Sequence, residues 1–236
     1  NLFENKKGVV IINTALLMVL GGSMVANQVY AGKTKQHLGI YSQSVFANFI
    51  KKFGENTKLS GNIGEDAVKL AYAQGIPDIY GAELAVNFDD VQNSMNIMKR
   101  FDLGYGNNKP SLTIEEMKRY TSVNLRISCE FCCGAKAIVS ETGEASCGCA
   151  HSQAMRGLTA YLIKNHGAKY TDDEILRELA RWKGKYFPKQ MVKKMSDQLQ
   201  SGNYTPDIAS LLLNMKLPKY SADSKSAPLP SEINNA

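Results

Sequence analysis

All five cysteines of the chain fall in one short window, Cys129-Glu-Phe-Cys132-Cys133-Gly134 followed by Cys147-Gly-Cys149-Ala-His151. Thiols this dense mark one place where the chain holds a metal or runs thiol chemistry. Cys129-x-x-Cys132 and Cys147-x-Cys149 can each aim two sulfurs at one centre, and a predicted turn between them brings the pairs together. Four thiolates at the corners of a tetrahedron make a zinc site, with metal–sulfur bonds of about 2.3 Å. Cys129, Cys132, Cys147 and Cys149 are therefore the expected metal ligands. Cys133 is an alternate for Cys132, and His151 is an alternate for Cys149 that would give a three-cysteine, one-histidine site. Zinc is the leading ion. The surplus of donors also admits two Cu(I) ions or an iron–sulfur cluster. Haem attachment does not fit, because Cys133 and not a histidine follows Cys132.

Two other readings of the same residues compete. The thiols could close as disulfides, with Cys129–Cys147 and Cys132–Cys149 as the feasible cross-pairs, but an odd count leaves one over. They could also form a redox dithiol, since Cys149 lies near a helix N-terminus where the dipole lowers a thiol pKa. The βαβ pattern of a thioredoxin-like domain is absent around them. No P-loop, Gly-x-Gly-x-x-Gly, Gly-x-Ser-x-Gly or His-Glu-x-x-His is present. No catalytic residue is assigned, and a binding module is favoured over an enzyme. Around the cluster, Met155 is read as core and Arg156 as one end of a surface salt bridge, the alternative being that its charge offsets the thiolates. Trp182, Tyr186 and Phe187 are read as core packing and His166 as a helix C-terminal cap. Gly134 and Gly148 are read as residues whose missing Cβ permits tight turns around a metal.

The elements that must position this window are mostly helical. Apolar spacing predicts helices over 42–53, 62–74, from Asp89 or Asp90 to Phe101, and from Thr113 to about Thr121. A short extended run follows at 124–128. Residues 135–140 and 145–147 read as two strands joined by a turn at 141–144. Further helices are predicted over 151–165, from Thr171 to about Lys183 with a break at Gly184, from Pro188 to about Gln200, and from Thr205-Pro206 to about Met215. The resulting fold class is mainly α, with an N-terminal transmembrane helix and a helical domain carrying a small cysteine-rich β-hairpin insert. The expected regions are 1–32 as membrane anchor or signal segment, 33–122 as a helical region, 123–216 as cluster hairpin plus helical platform, and 217–236 as a disordered tail.

The N-terminal region reads as a membrane segment. Lys6-Lys7 precede an uncharged apolar run over 8–26, long enough to cross a hydrocarbon core of roughly 30 Å, more easily if it extends to Ala31. A cleaved signal peptide ending at Val29-Tyr30-Ala31 and a buried globular helix are the alternatives. Lys6 and Lys7 favour a cytoplasmic N-terminus, which puts residues 33–236 outside the cytoplasm. Net charge is +6, spread without a dense Lys/Arg block, so nucleic acid is not an expected partner. The expected partners are the membrane, through residues 8–31, and another protein.

Three resemblances follow from particular residues. Arg126-Ile-Ser-Cys-Glu-Phe-Cys-Cys-Gly and Cys147-Gly-Cys-Ala-His-Ser-Gln-Ala-Met-Arg-Gly-Leu resemble an uncharacterised family of membrane-anchored proteins. Glu174-Ile-Leu-Arg-Glu-Leu, Trp182-Lys, Phe187-Pro-Lys-Gln and Ile79-Tyr80-Gly81 fit the same pattern, which spans about residues 76–195. Cys129-x-x-Cys132 with Thr171-Asp-Asp-Glu-Ile is similar to the thiol proteins of cytochrome c maturation. Lys6-Lys7-Gly8 before an apolar helix resembles a prepilin junction, although this chain has Asn13 where pilins have Glu. The expected function is a membrane-anchored extracytoplasmic metal-binding module with structural zinc. The alternatives are a thiol–disulfide redox, copper or iron–sulfur carrier, and a pilin-like surface-assembly subunit.

Overall fold

The computed structural model describes residues 59–221. The apolar run over 8–31, the helix expected over 42–53 and the tail from 222 lie outside the described residues. Among those described, no helix is long and apolar enough to cross a membrane.

Eight helices lie among the described residues: α1 (Ile63–Ala71), α2 (Gly81–Leu84), α3 (Val91–Lys99), α4 (Ile114–Asn124), α5 (Ala150–His166), α6 (Asp172–Tyr186), α7 (Pro188–Ser201) and α8 (Pro206–Leu211). Their starts follow local chemistry. The Asn62 side chain accepts from the Gly64 and Glu65 amides, and Asp90 accepts from Asn93. Thr113 with Glu116 and Thr171 with Glu174 each form a complete capping box. Pro188 and Pro206 stand in the first turns of α7 and α8, where a missing N–H leaves nothing unsatisfied. Gly202 ends α7 at φ 72°, a left-handed position that favours glycine.

Three expectations are corrected. Gly184 does not break a helix; α6 continues through it to Tyr186. No extended run forms at 124–128, because α4 reaches Asn124. No strand forms among the described residues: the hairpin expected over 135–147 is reduced to a single antiparallel bridge between Val139 and Ala145. The turn is there, with the Ser140 amide donating to Glu144 O at 2.8 Å. The ladder has one more rung, the Ser146 amide to Ile138 O at 3.2 Å, and goes no further because the Ile138 amide does not return that bond. The Ile138 amide donates to Ile127 O, and Ile138 O accepts from both the Ser146 amide and Arg156.

One apolar core runs from Ile63 on α1 to Leu212 after α8, with α5 and α6 at its centre. Ala154, Met155, Leu158, Ala160 and Leu162 of α5 are buried, as are Ile175, Leu176, Leu179 and Trp182 of α6. Met155 and Trp182 are thus core residues, as expected. Two glycines let helices approach. A Cβ at Gly157 would stand 2.0 Å from Met98 O on α3, and one at Gly184 would stand 1.9 Å from Ala71 O on α1. Gly157→Ala is therefore expected to destabilise the protein by roughly 1–3 kcal/mol through overpacking. In an open helix interior the same change is stabilising. The midpoint of urea unfolding, compared with wild type, measures the difference.

Two buried polar networks cross this core. Trp182 Nε1 donates to Tyr80 Oη at 2.9 Å, and Tyr80 Oη donates to Glu178 at 2.7 Å. Burial, then the Glu178 carboxylate, raises the Tyr80 phenol well above its ordinary range, so it stays a donor. Arg156 is fully buried and grips Asp102 with two parallel bonds, Nε to Oδ1 at 2.9 Å and Nη2 to Oδ2 at 2.7 Å. The surface salt bridge read from the sequence is therefore an interior ion pair.

Candidate metal centre

The cluster begins where α4 ends. After Ile127 the chain makes a tight turn around one carbonyl: the Cys132 and Cys133 amides both donate to Cys129 O, at 3.0 and 3.2 Å. Gly134 leaves this turn at φ 69°, which a Cβ would strain. Gly148 has no such requirement; a Cβ there would meet only Tyr105, in ordinary contact at 3.6 Å. The turn leaves Cys129 fully buried and Cys132 and Cys133 exposed.

Both residues inside Cys129-x-x-Cys132 are tied to the helices below. Glu130 accepts from Lys183 of α6 at 2.8 Å and from Lys194 of α7 at 2.7 Å. Both lysines also reach Asp207 of α8. The Phe131 ring lies 5.6 Å from Phe187, edge to face, with the Lys183 ammonium 5.2 Å from its centroid. Burial raises the Asp207 carboxyl, but Lys183 and Lys194 outweigh it and hold it at about 2, against an ordinary 3.8. A carboxyl depressed by folding contributes stability above its unfolded pKa and loses it as pH falls through its folded one, here between about pH 4 and 2. The contribution is ~2 kcal/mol. Acid unfolding followed by circular dichroism is expected to show Asp207→Asn less stable than wild type at neutral pH and less sensitive to acid below pH 4.

The second cysteine pair is held from the other side. Arg156 Nη1 donates to Cys147 O at 2.9 Å and to Ile138 O at 3.1 Å. The guanidinium that pairs with Asp102 therefore also fixes the backbone of the cluster. Cys149 is the N-cap of α5, where its sulfur accepts from the Ser152 amide at 3.4 Å. Burial raises the Cys149 thiol, but the Ser152 hydroxyl and amide, with Cys147 and Cys129, outweigh it and bring it to about 7. Cys129 shifts the other way, raised by burial and by the neighbouring Cys149 sulfur.

Two donor sets result. Cys129, Cys132 and Cys149 with a ring nitrogen of His151 form the first, all ligand atoms lying within 4.8 Å of one another. Cys133, Cys147 and Cys149 form the second, within the same limit. Of the residues expected as ligands, Cys129, Cys132 and Cys149 come together; Cys147 does not join them, and His151 takes the fourth place. Ligands on bonds of about 2.3 Å stand about 3.8 Å apart at the corners of a tetrahedron. The Cys129 and Cys149 sulfurs are 3.8 Å apart.

His151 sits in an aromatic notch. Its ring centroid is 4.9 Å from those of both Tyr186 and Phe187. Burial lowers its pKa, which favours the neutral imidazole that a metal needs. Its Nδ1 atom is buried without a hydrogen-bond partner, as is the Tyr186 hydroxyl. Such orphans cost about 1–3 kcal/mol each, and an ion on Nδ1 would remove one of them. Three soft thiolates and an imidazole suit zinc. Sequence reasoning missed Asp102, Glu130 and Lys183 as supports of the site. Only Ser152, three residues after Cys149 at a helix start, carried a readable signal, the capping spacing.

A scan against protein-family models, a search of curated proteins and a search of solved structures each return no match for this chain.

Proposed function

We propose that the protein is a metal-binding module in which one zinc ion, held by Cys129, Cys132, Cys149 and His151, clamps the cysteine loops onto the helical platform of α5–α8. The carrying observation is the convergence of these four donors within 4.8 Å, with the Cys129–Cys149 separation at the edge length of a zinc tetrahedron. Zinc in such a closed set contributes folding energy to the segment that carries it. Residues 125–149 need it: they contain no helix and no strand, and bury only a few apolar side chains. In this reading the apolar run over 8–31 attaches the module to a membrane, and the platform presents the clamped loops to a protein partner outside the cytoplasm. The apolar run flanked by Lys6 and Lys7 supports the attachment.

The test is metal content by mass spectrometry on the full chain, purified without added metal, with a parallel thiol count. About one zinc per chain is expected, with the ligand thiols reactive only after chelation and unfolding. A chain that holds no metal and has few free thiols would mean disulfides and would overturn the proposal.

A further inference from the structure

We infer a second metal position, facing solvent and made by Cys133, Cys147 and Cys149, that takes Cu(I) and shares the Cys149 sulfur with the zinc beside it. It rests on the zinc reading of the first set.

The geometry starts from the turn around the Cys129 carbonyl. That turn places Cys132 in the first donor set and Cys133 in the second, although they are adjacent in sequence. Both Cys133 and Cys147 are held near Cys149. The Cys133 thiol donates to Cys129 O at 3.7 Å, and the Cys149 amide donates to the Cys147 sulfur at 3.3 Å. Arg156 grips the Cys147 carbonyl from below. The three sulfurs lie within 4.8 Å of one another, and Cys149 is common to both sets. A single ion on the first set gives Cys133 and Cys147 nothing to do. Two ions bridged by Cys149 use every cysteine of the chain together with His151. All five thiols are free in the structure, so none is withdrawn into a disulfide.

The donor set selects the ion. The second set offers three sulfurs, and no histidine or carboxylate completes it among the described residues. Zinc prefers four protein ligands in a closed site, whereas an all-thiolate set suits the softer Cu(I), which is satisfied by three. Exposure separates the two positions as well. Cys129 anchors the first set in the core, while Cys133 is exposed and Cys147 half-buried. An ion on the second set is therefore reachable by a donor or acceptor of copper, and is cargo where the zinc is structural.

The experiment uses the full chain, reduced and free of oxygen, with its zinc counted first. Cu(I) is then added from its bathocuproine disulfonate complex, and zinc and copper are counted again after desalting. The expected result is one Cu(I) per chain with zinc retained, accompanied by sulfur-to-copper charge-transfer absorption in the near ultraviolet. Cys133→Ser, a change at an exposed position, is expected to weaken Cu(I) binding at least tenfold and leave zinc at one per chain. Copper that enters only as zinc leaves overturns the inference, as does a Cys133→Ser chain that binds Cu(I) like wild type; both leave the zinc reading standing. Absence of zinc before copper is added overturns the zinc reading itself, and the shared-sulfur arrangement with it.

Discussion

Asp102→Asn is expected to destabilise the protein by roughly 3–5 kcal/mol, the cost of breaking a buried ion pair by removing one charge. Arg156 and Asp102 are both fully inaccessible, and the two bonds between them match fork to carboxylate. Asparagine keeps one acceptor but turns an NH2 group toward the guanidinium and leaves its charge uncompensated in the core. Besides that one acceptor, Arg156 then has the Ile138 and Cys147 carbonyls and the Tyr105 ring 5.8 Å away, and no anion. The damage should therefore spread to the metal centre. Urea unfolding measures the stability loss, and hydrogen exchange at the amides of residues 138–149 measures the spread. The paired variant Asp102→Leu with Arg156→Met separates the two effects. Removing both charges is expected to recover much of the stability, because a buried ion pair can often be replaced by apolar groups of similar volume. It should not restore the order of the cluster, because nothing then holds the Cys147 carbonyl. Full recovery of both would mean that Arg156 acts on the core alone.

The same pair shows where sequence reading stops. Helix starts were legible because their chemistry is local: Asn62, Asp90, Thr113 and Thr171 announce themselves within four residues. The cysteine window was legible for the same reason. Which cysteines share an ion was not, because it depends on a turn around the Cys129 carbonyl that sends Cys132 and Cys133 to different sets. Arg156 was visible beside the cluster, but its partner lies 54 residues earlier in Phe101-Asp102-Leu103, where nothing marks it. Glu130 and Lys183 are 53 residues apart and equally silent. Gly184 illustrates a different limit. A glycine in a helical pattern means either a stop or a close approach, and only the position of Ala71 O decides between them. The hairpin shrank to one bridge because its pattern, apolar residues around a good turn, is also that of a loop whose Ile138 amide pairs with Ile127 O, outside it.

Cys129→Ser and Cys132→Ser are each expected to weaken zinc binding by at least about a hundredfold, beyond the roughly 10–100-fold typical of losing a metal's outer partner. The comparison matters because the two positions differ in everything except the proposed ligation. Cys129 is fully buried and Cys132 is exposed. If the cluster were only packing, Cys129→Ser would be harmful and Cys132→Ser nearly silent. If both ligate one ion, zinc retention falls alike in both. The structural consequence should also be confined. The apolar core is built by the helices before and after residues 125–149, and those residues add only Ile127, Cys129, Ile138 and Val139 to it. Loss of zinc is then expected to leave the helical circular dichroism close to that of wild type while amide exchange rises across 125–149. Chelation of the wild-type chain should reproduce that pattern, whereas Asp102→Asn should loosen core and cluster together. A Cys132→Ser chain that holds zinc as tightly as wild type would remove Cys132 from the site, and with it the closed four-ligand centre on which the structural role of the metal depends.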